Sequence, residues 1–166
     1  MNRNDYNSMI SNSSNKKNSK NFFNYLITQR PDHAEIVIQF HTSFYTTRSI
    51  PATIPLLEST LPRIFSHKCF NNQNWSFKKE AKQTELGHLF EHIILEYLCV
   101  YKFLEGCSNI KLKGLTEWNW EQDPEGIFYI SLNSVMNDSN HLTQATEKAA
   151  KIMEKLLDMS QTRHVS

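Results

Sequence analysis

Five consecutive residues, His88-Leu89-Phe90-Glu91-His92, have the types and spacing that metal-assisted hydrolysis needs. Residues four apart share one helix face, so His88 and His92 can aim ring nitrogens at a single zinc ion, about 2.0–2.1 Å from each. Glu91 follows His88 by three positions and borders that face. There it could hold a water on the ion and accept its proton, the role of the glutamate in H-x-x-E-H hydrolases. Zinc brings the pKa of such a water toward ~7, and the resulting chemistry is amide hydrolysis. Two plainer readings compete: a chance string among seven histidines, or a solvated helix face with ordinary neighbour contacts. The interleaved Leu89, Phe90, Ile93 and Ile94 speak against solvation, and the motif lies in the most strongly patterned helix of the chain.

That helix is predicted over Thr84 to about Glu105. Thr84 is placed to cap it, Glu85 lies in its first turn, and Gly106 stands where a left-handed C-terminal residue is wanted. Its apolar face comprises Leu86, Leu89, Phe90, Ile93, Ile94, Tyr97, Leu98, Tyr101 and Leu104. Before it, Ala34 to His41 is rich in β-branched residues and predicts a strand with Ile36, Ile38 and Phe40 on one face. Pro51 opens a helical pattern through Ile54, Leu57, Leu61, Ile64 and Phe65, shortened or kinked by Pro55 and Pro62. Residues 69–80 predict a loop with room for one short strand. After the helix, Ile110 to Glu121 and Ile127 to Leu132 read as a hairpin around the turn Asp123-Pro124-Glu125-Gly126. Asn140 is placed to cap a final helix over Leu142 to Met159, with Ala145, Ala149, Ile152, Met153, Leu156 and Leu157 facing inward. The sum is a two-layer α+β domain, a small mostly antiparallel sheet packed against helices.

A chain of 166 residues has the size of one domain. Residues 1–21, rich in Asn, Ser and Lys, predict a disordered tail; the domain occupies 22–160 and a short tail 161–166. A formal charge of +1 argues against nucleic acid as the main partner, because phosphate binding needs a concentrated positive field. No apolar run is long enough for a bilayer, and the N-terminus lacks a secretory core, so no membrane and a cytoplasmic location are expected. Cys69, Cys99 and Cys107 are odd in number and lack the spacing of a metal knuckle or redox pair. Cys99 and Cys107 flank a helix and read as small hydrophobes.

The context of the motif resembles the N-terminal domain of cyanophycin synthetases. Gly87-His88-Leu-Phe-Glu91-His92-Ile-Ile-Leu-Glu96 is similar to that family's GHxxEHxxLE segment. Pro124-Glu-Gly126-Ile-Phe-Tyr129-Ile is similar to its PGxYxVVFEY strand, and an Ala-rich helix follows. Leu56 to Phe65 resembles the helix before the motif, so the likeness spans about Thr53 to Leu157. The full family enzyme joins aspartate and arginine with an ATP-grasp and a Mur-ligase-like domain. Neither fits in 166 residues, and four glycines include no phosphate-cradling loop, so synthetase activity is not expected of this chain. What the resemblance implies is the domain's own peptidase-like activity, which cuts the polymer into primers. His88 and His92 would be zinc ligands and Glu91 the general base.

Catalytic zinc normally takes three protein ligands plus water. The family strand ends in Phe-Glu-Tyr where this chain has Leu132-Asn133-Ser134, and a neutral Asn133 is a poor replacement for a ligand or substrate contact. Glu96 matches a family glutamate and is the nearest candidate third ligand, although it lies about 12 Å along the axis from His88; alternatively it fixes an imidazole tautomer from behind. Glu117 and Glu121 are further candidates, and a homo-oligomer could supply the ligand from a neighbouring subunit. Glu117, Glu121, Asp123 and Glu125, interleaved with Trp118 and Trp120, suit guanidinium groups, which marks Glu117, Trp118 and Glu121 as candidate contacts for cyanophycin or an arginine-rich peptide. The plainer reading is a solvated turn with core tryptophans. The leading hypothesis is thus a zinc hydrolase. A second is a catalytically degenerate module that binds the polymer or a separately encoded synthetase. A third, a pitrilysin-like peptidase, would need Glu147 or Glu154 of the last helix as a ligand.

Overall fold

A computed structural model describes residues 22–69, 75–133 and 139–161, and the two terminal tails fall outside them apart from Gln161. Four strands form one antiparallel sheet in the order β1-β2-β4-β3: β1 Phe23–Gln29, β2 His33–Phe40, β3 Lys113–Glu117 and β4 Ile127–Asn133. The α-helices are α1 Thr53–Thr60, α2 Phe77–Glu80, α3 Leu86–Leu104 and α4 Ser139–Gln161. This is the expected α+β arrangement. No helix among the described residues is long and apolar enough to cross a membrane.

Period-2 patterning decides which sheet face is covered. Ala34, Ile36, Ile38 and Phe40 of β2 are buried, and they lie beside Leu132, Ile130 and Phe128 of β4. Phe23 and Tyr25 of β1 extend that face to Phe90 of α3, at 6.2 Å between ring centres in each case. The opposite face carries Leu26, Val37, Tyr129 and Leu115, and the last two are exposed. β1 was not expected. Its Phe23, Tyr25 and Ile27 alternate properly, but Leu26 on the outer face blurs the pattern, and its order comes from pairing with β2 across the turn at Pro31. The hairpin expected from Ile110 to Leu132 pairs as predicted with a shorter first strand, because residues 119–123 make a helical turn instead of extending it.

α3 differs from a surface helix in being buried nearly all round. Leu86, Gly87 and every residue from Leu89 to Leu95 are buried, as are Glu96 and Leu98. The sheet covers one side, α4 lies alongside, and Leu61, Ile64 and Phe77 close the rest. Two details of its ends depart from the sequence reading. Glu85, not Thr84, is the N-cap, and the amide of Leu86 donates to the Tyr45 carbonyl at 2.8 Å, so the loop after β2 replaces a side-chain cap. Leu104 is 75 % exposed, past the point where the sheet ends. Gly106, at φ +84, does terminate the helix, with the Cys107 amide donating to Lys102 and the Gly106 amide to Phe103. Cys107 is consequently exposed instead of packed.

α1 tolerates Pro55 because the first turn of a helix needs no amide there, and Leu61 leaves the helical region before Pro62, where a 3-10 turn (Pro62–Ser66) begins. Residues 77–80 of the expected loop form α2, whereas 70–74 lie outside the described residues. Asn140 does not cap α4; it lies within the helix and accepts from Gln144. The inward residues of α4, Ala145 through Leu157, are buried as predicted.

Gly87 sets the distance between α3 and the sheet. A Cβ there would lie 2.6–2.7 Å from ring and Cβ carbons of Phe128, deep in the core. Gly87→Ala is therefore expected to destabilise the fold. Overpacking costs about 1–3 kcal/mol and alanine recovers up to ~1 kcal/mol in helix propensity, for a net loss of about 1–2 kcal/mol. Urea denaturation measures it; an unchanged or raised midpoint would contradict the close approach.

Candidate metal centre

One stripe of α3, His88, His92 and Glu96, faces away from the sheet toward residues 67–69 and α2. Its spacing of four brings the two Nε2 atoms of His88 and His92 to 3.1 Å. Cys69, in the loop after the 3-10 turn, places Sγ 3.4 Å from the same Nε2 of His88. The three ligand atoms lie within 4.8 Å of one another, a group that could hold a metal ion. Tetrahedral zinc would separate two nitrogens by about 3.3 Å and a nitrogen from a sulfur by about 3.6 Å, given its usual bond lengths. The 3.1 Å and 3.4 Å spacings around His88 Nε2 are close to those edges.

Proton placement makes the same point. Thr84 Oγ1 lies 2.8 Å from His88 Nδ1 and can take that ring's N–H, which leaves the Nε2 lone pair aimed at the cluster. Two Nε2 lone pairs 3.1 Å apart repel unless a proton or a metal cation lies between them. Burial pushes the pKa of His88 down, and burial followed by its two histidine neighbours pushes that of His92 well down. Both rings are thus held neutral, so the pair either shares the single N–H of one neutral ring or turns two lone pairs toward a metal cation. Two imidazoles and a thiolate are borderline-to-soft donors, suited to zinc-like ions and not to magnesium or calcium.

Around the cluster, the Phe77 ring stacks on His92 at 3.8 Å and shields it from water. Glu96, the candidate third ligand, does not join the group. Its Oε2 lies 2.8 Å from His67 Nε2, and His67 Nδ1 lies 3.1 Å from His92 Nδ1. The helical rise explains this: eight residues carry Glu96 beyond the pair, to where a histidine from the preceding loop fills the gap. The sequence reading passes over His67 and finds no metal-site spacing at Cys69, which the structure brings to the histidine pair. Their only signal was a His-x-Cys pair shortly before the motif helix.

Glu91 leaves α3 toward β3. Thr116 Oγ1 donates to its Oε2 at 2.6 Å, and Gly114 lies so close that a Cβ there would collide with the carboxyl. The side chain is 4 % exposed, and burial raises its pKa to about 7 against the partial compensation of the Thr116 bond. Asn133 faces the other way: its side-chain oxygen accepts from the Lys113 amide at the exposed end of β4 and is no part of the cluster. The hairpin residues disperse. Glu117 is exposed opposite Tyr129, Trp118 is 41 % exposed with its ring 5.6 Å from that of Phe128, and Glu121 is exposed in the connecting turn. Trp120 is partly buried and donates to the Ile127 carbonyl, as a core residue would. Glu147 and Glu154 are exposed on α4, where their charges add to the burial that raises the Tyr25 phenol pKa, and they do not join the cluster. Compared with known proteins, the chain matches no family model, no curated protein and no solved structure.

The Glu91 shift has a stability signature. Between its ordinary 4.5 and about 7, the unfolded chain releases a proton that the folded state keeps. The stabilisation is whole below about 4.5 and is lost as pH rises through about 7. Glu91→Gln keeps an acceptor for Thr116 and removes the ionisation. In metal-free protein the variant should gain on the wild type by on the order of 3 kcal/mol between about pH 4.5 and about pH 8, read from paired denaturation curves. Parallel pH profiles would show that Glu91 ionises normally.

Proposed function

We propose that this chain is a zinc-dependent hydrolase that cuts peptide amide bonds, with His88, His92 and Cys69 as ligands. The observation that carries the reading is the convergence of two histidine Nε2 atoms and a thiol on one point; the same helix carries, toward β3, a carboxyl whose pKa lies near neutral. Zinc, when bound, is a Lewis acid that polarises a carbonyl and makes a water ligand acidic near neutral pH. A pKa near 7 suits Glu91 to accept a proton and return it to a leaving amine, a role that requires the reacting water to reach the carboxyl where Thr116 holds it against β3. Thr116 fixes the carboxyl rotamer through Oε2, and Phe77 keeps water from the outer side of His92. The segment Gly87 to Glu96 resembles cyanophycin synthetase N-domains, which points to cyanophycin or another arginine-rich peptide as substrate. The exposed indole of Trp118 and the exposed carboxylates of Glu117 and Glu121 are suited to guanidinium groups.

A second reading has one observation in its favour. Glu91 also braces β3 against α3 through Thr116 and Gly114, a structural use that would suit a metal-bearing module that binds the polymer or a synthetase without cutting it. Metal analysis and a cleavage assay separate the two. Protein produced with ample zinc should hold one ion per chain, and His88→Ala or Cys69→Ala should lose it. Glu91→Gln should keep the ion and lose about 10²–10⁴-fold in cleavage of an arginine-rich polymer. Stoichiometric zinc without any cleavage by the wild type selects the binding module, and absence of zinc sinks both.

A further inference from the structure

Behind the ligand pair lies a chain of polar groups that the proposed reaction does not use: Glu96, His67 and the far nitrogen of His92. His67 Nδ1 is 3.1 Å from His92 Nδ1, and His67 Nε2 is 2.8 Å from Glu96 Oε2. The side chain of Glu96 is 5 % exposed and that of His67 17 %, so neither has ready access to water. Arg63 Nε, on an exposed side chain, stands 4.0 Å from the other carboxylate oxygen at the outer end. The groups come from three places, the 3-10 turn, the loop after it and α3, which makes accidental alignment along one line unattractive as an account.

We propose that Glu96, acting through His67, sets the tautomer of His92 and so keeps its Nε2 lone pair facing the metal position; His67 and Glu96 are positioning residues. The inference rests on His92 being a ligand. The logic is that of donors and acceptors. A carboxylate can only accept, so the hydrogen at its 2.8 Å contact must come from His67 Nε2. A neutral imidazole carries one N–H, so His67 Nδ1 is then a bare acceptor. With His67 in that neutral form it is satisfied by an N–H on His92 Nδ1, and His92 Nε2 is left with its lone pair; a doubly protonated His67 would donate instead and move the His92 proton to Nε2. The reverse arrangement would let His92 Nε2–H donate to His88 Nε2, 3.1 Å away, but it sets a His67 lone pair against the buried carboxylate at 2.8 Å, the costlier clash. Partners of this kind orient metal-bound histidines and raise their basicity, and removing one typically weakens metal binding 10–100-fold.

The test uses the full chain. Nitrogen-15 spectra of the metal-free wild type read the tautomer directly: the proton of His92 should be on Nδ1, and finding it on Nε2 overturns the proposal. Zinc affinity, measured by competition with a chromophoric chelator, supplies the second readout. His67→Leu should weaken binding about 10–100-fold. His67→Gln should restore it to within about threefold of wild type, because a carboxamide can accept from His92 and donate to Glu96. Wild-type affinity in His67→Leu, or an equal loss in His67→Gln, overturns the proposal. A wild type that binds no zinc removes the ligand reading, while the tautomer spectrum still decides whether the relay exists.

Discussion

The desolvation of α3 is the constraint on which the rest of the structure depends. Over Leu86 to Glu96 the helix is covered by sheet, helix and loop, which leaves little solvent for polar side chains, yet this stretch carries buried Glu91, His92 and Glu96 and half-buried His88. Each ionisable group removed from water costs several kcal/mol unless another element supplies a partner or the group stays neutral. The molecule answers with one partner per group. Thr84 serves His88, Thr116 serves Glu91, and His67 serves His92 and Glu96 together. The placement of the loop at 67–69 and the register of β3 are both consequences of that requirement.

The two sides of α3 do different work. Toward the sheet it packs by shape, with Gly87 against Phe128 and Phe90 against Phe23 and Tyr25. Toward the 3-10 turn it packs by polar pairing around the cluster. Glu91 sits at the border between the two regimes, and its raised pKa reflects an apolar surrounding that one hydroxyl only partly offsets. Shape packing holds the polar side still, which a ligand group with spacings near 3 Å requires.

Local periodicity made much of this legible. α3, its glycine terminator, the inward face of α4, the pairing of β4 and the His88/His92 face all follow from patterns within about twenty residues. Elements whose order comes from distant partners were harder to see. β1 is an edge strand with an apolar residue on its outer face, and the start of α3 is satisfied by Tyr45 instead of by its own cap. The third side chain of the cluster was the least visible. Glu96 lies on the same helix and invites the assignment, but a rigid helix cannot bring residues eight apart to one ion, whereas a loop can bring Cys69. No repeat or spacing rule encodes that approach, because it is fixed by the path of the chain through α1, the 3-10 turn and α2.

The cluster also joins two parts of the chain that nothing else binds covalently. Cys69 precedes His88 by 19 residues, and an ion held by both closes that stretch, including α2, into a ring. Cross-linking a loop of this length removes about 3 kcal/mol of conformational entropy from the unfolded chain. With three cysteines and no disulfide among the described residues, the protein has no covalent staple of its own, and a bound ion would serve as a removable one. Withdrawing such an ion would then free the stretch from Cys69 to His88 while leaving the pairing of the sheet in place.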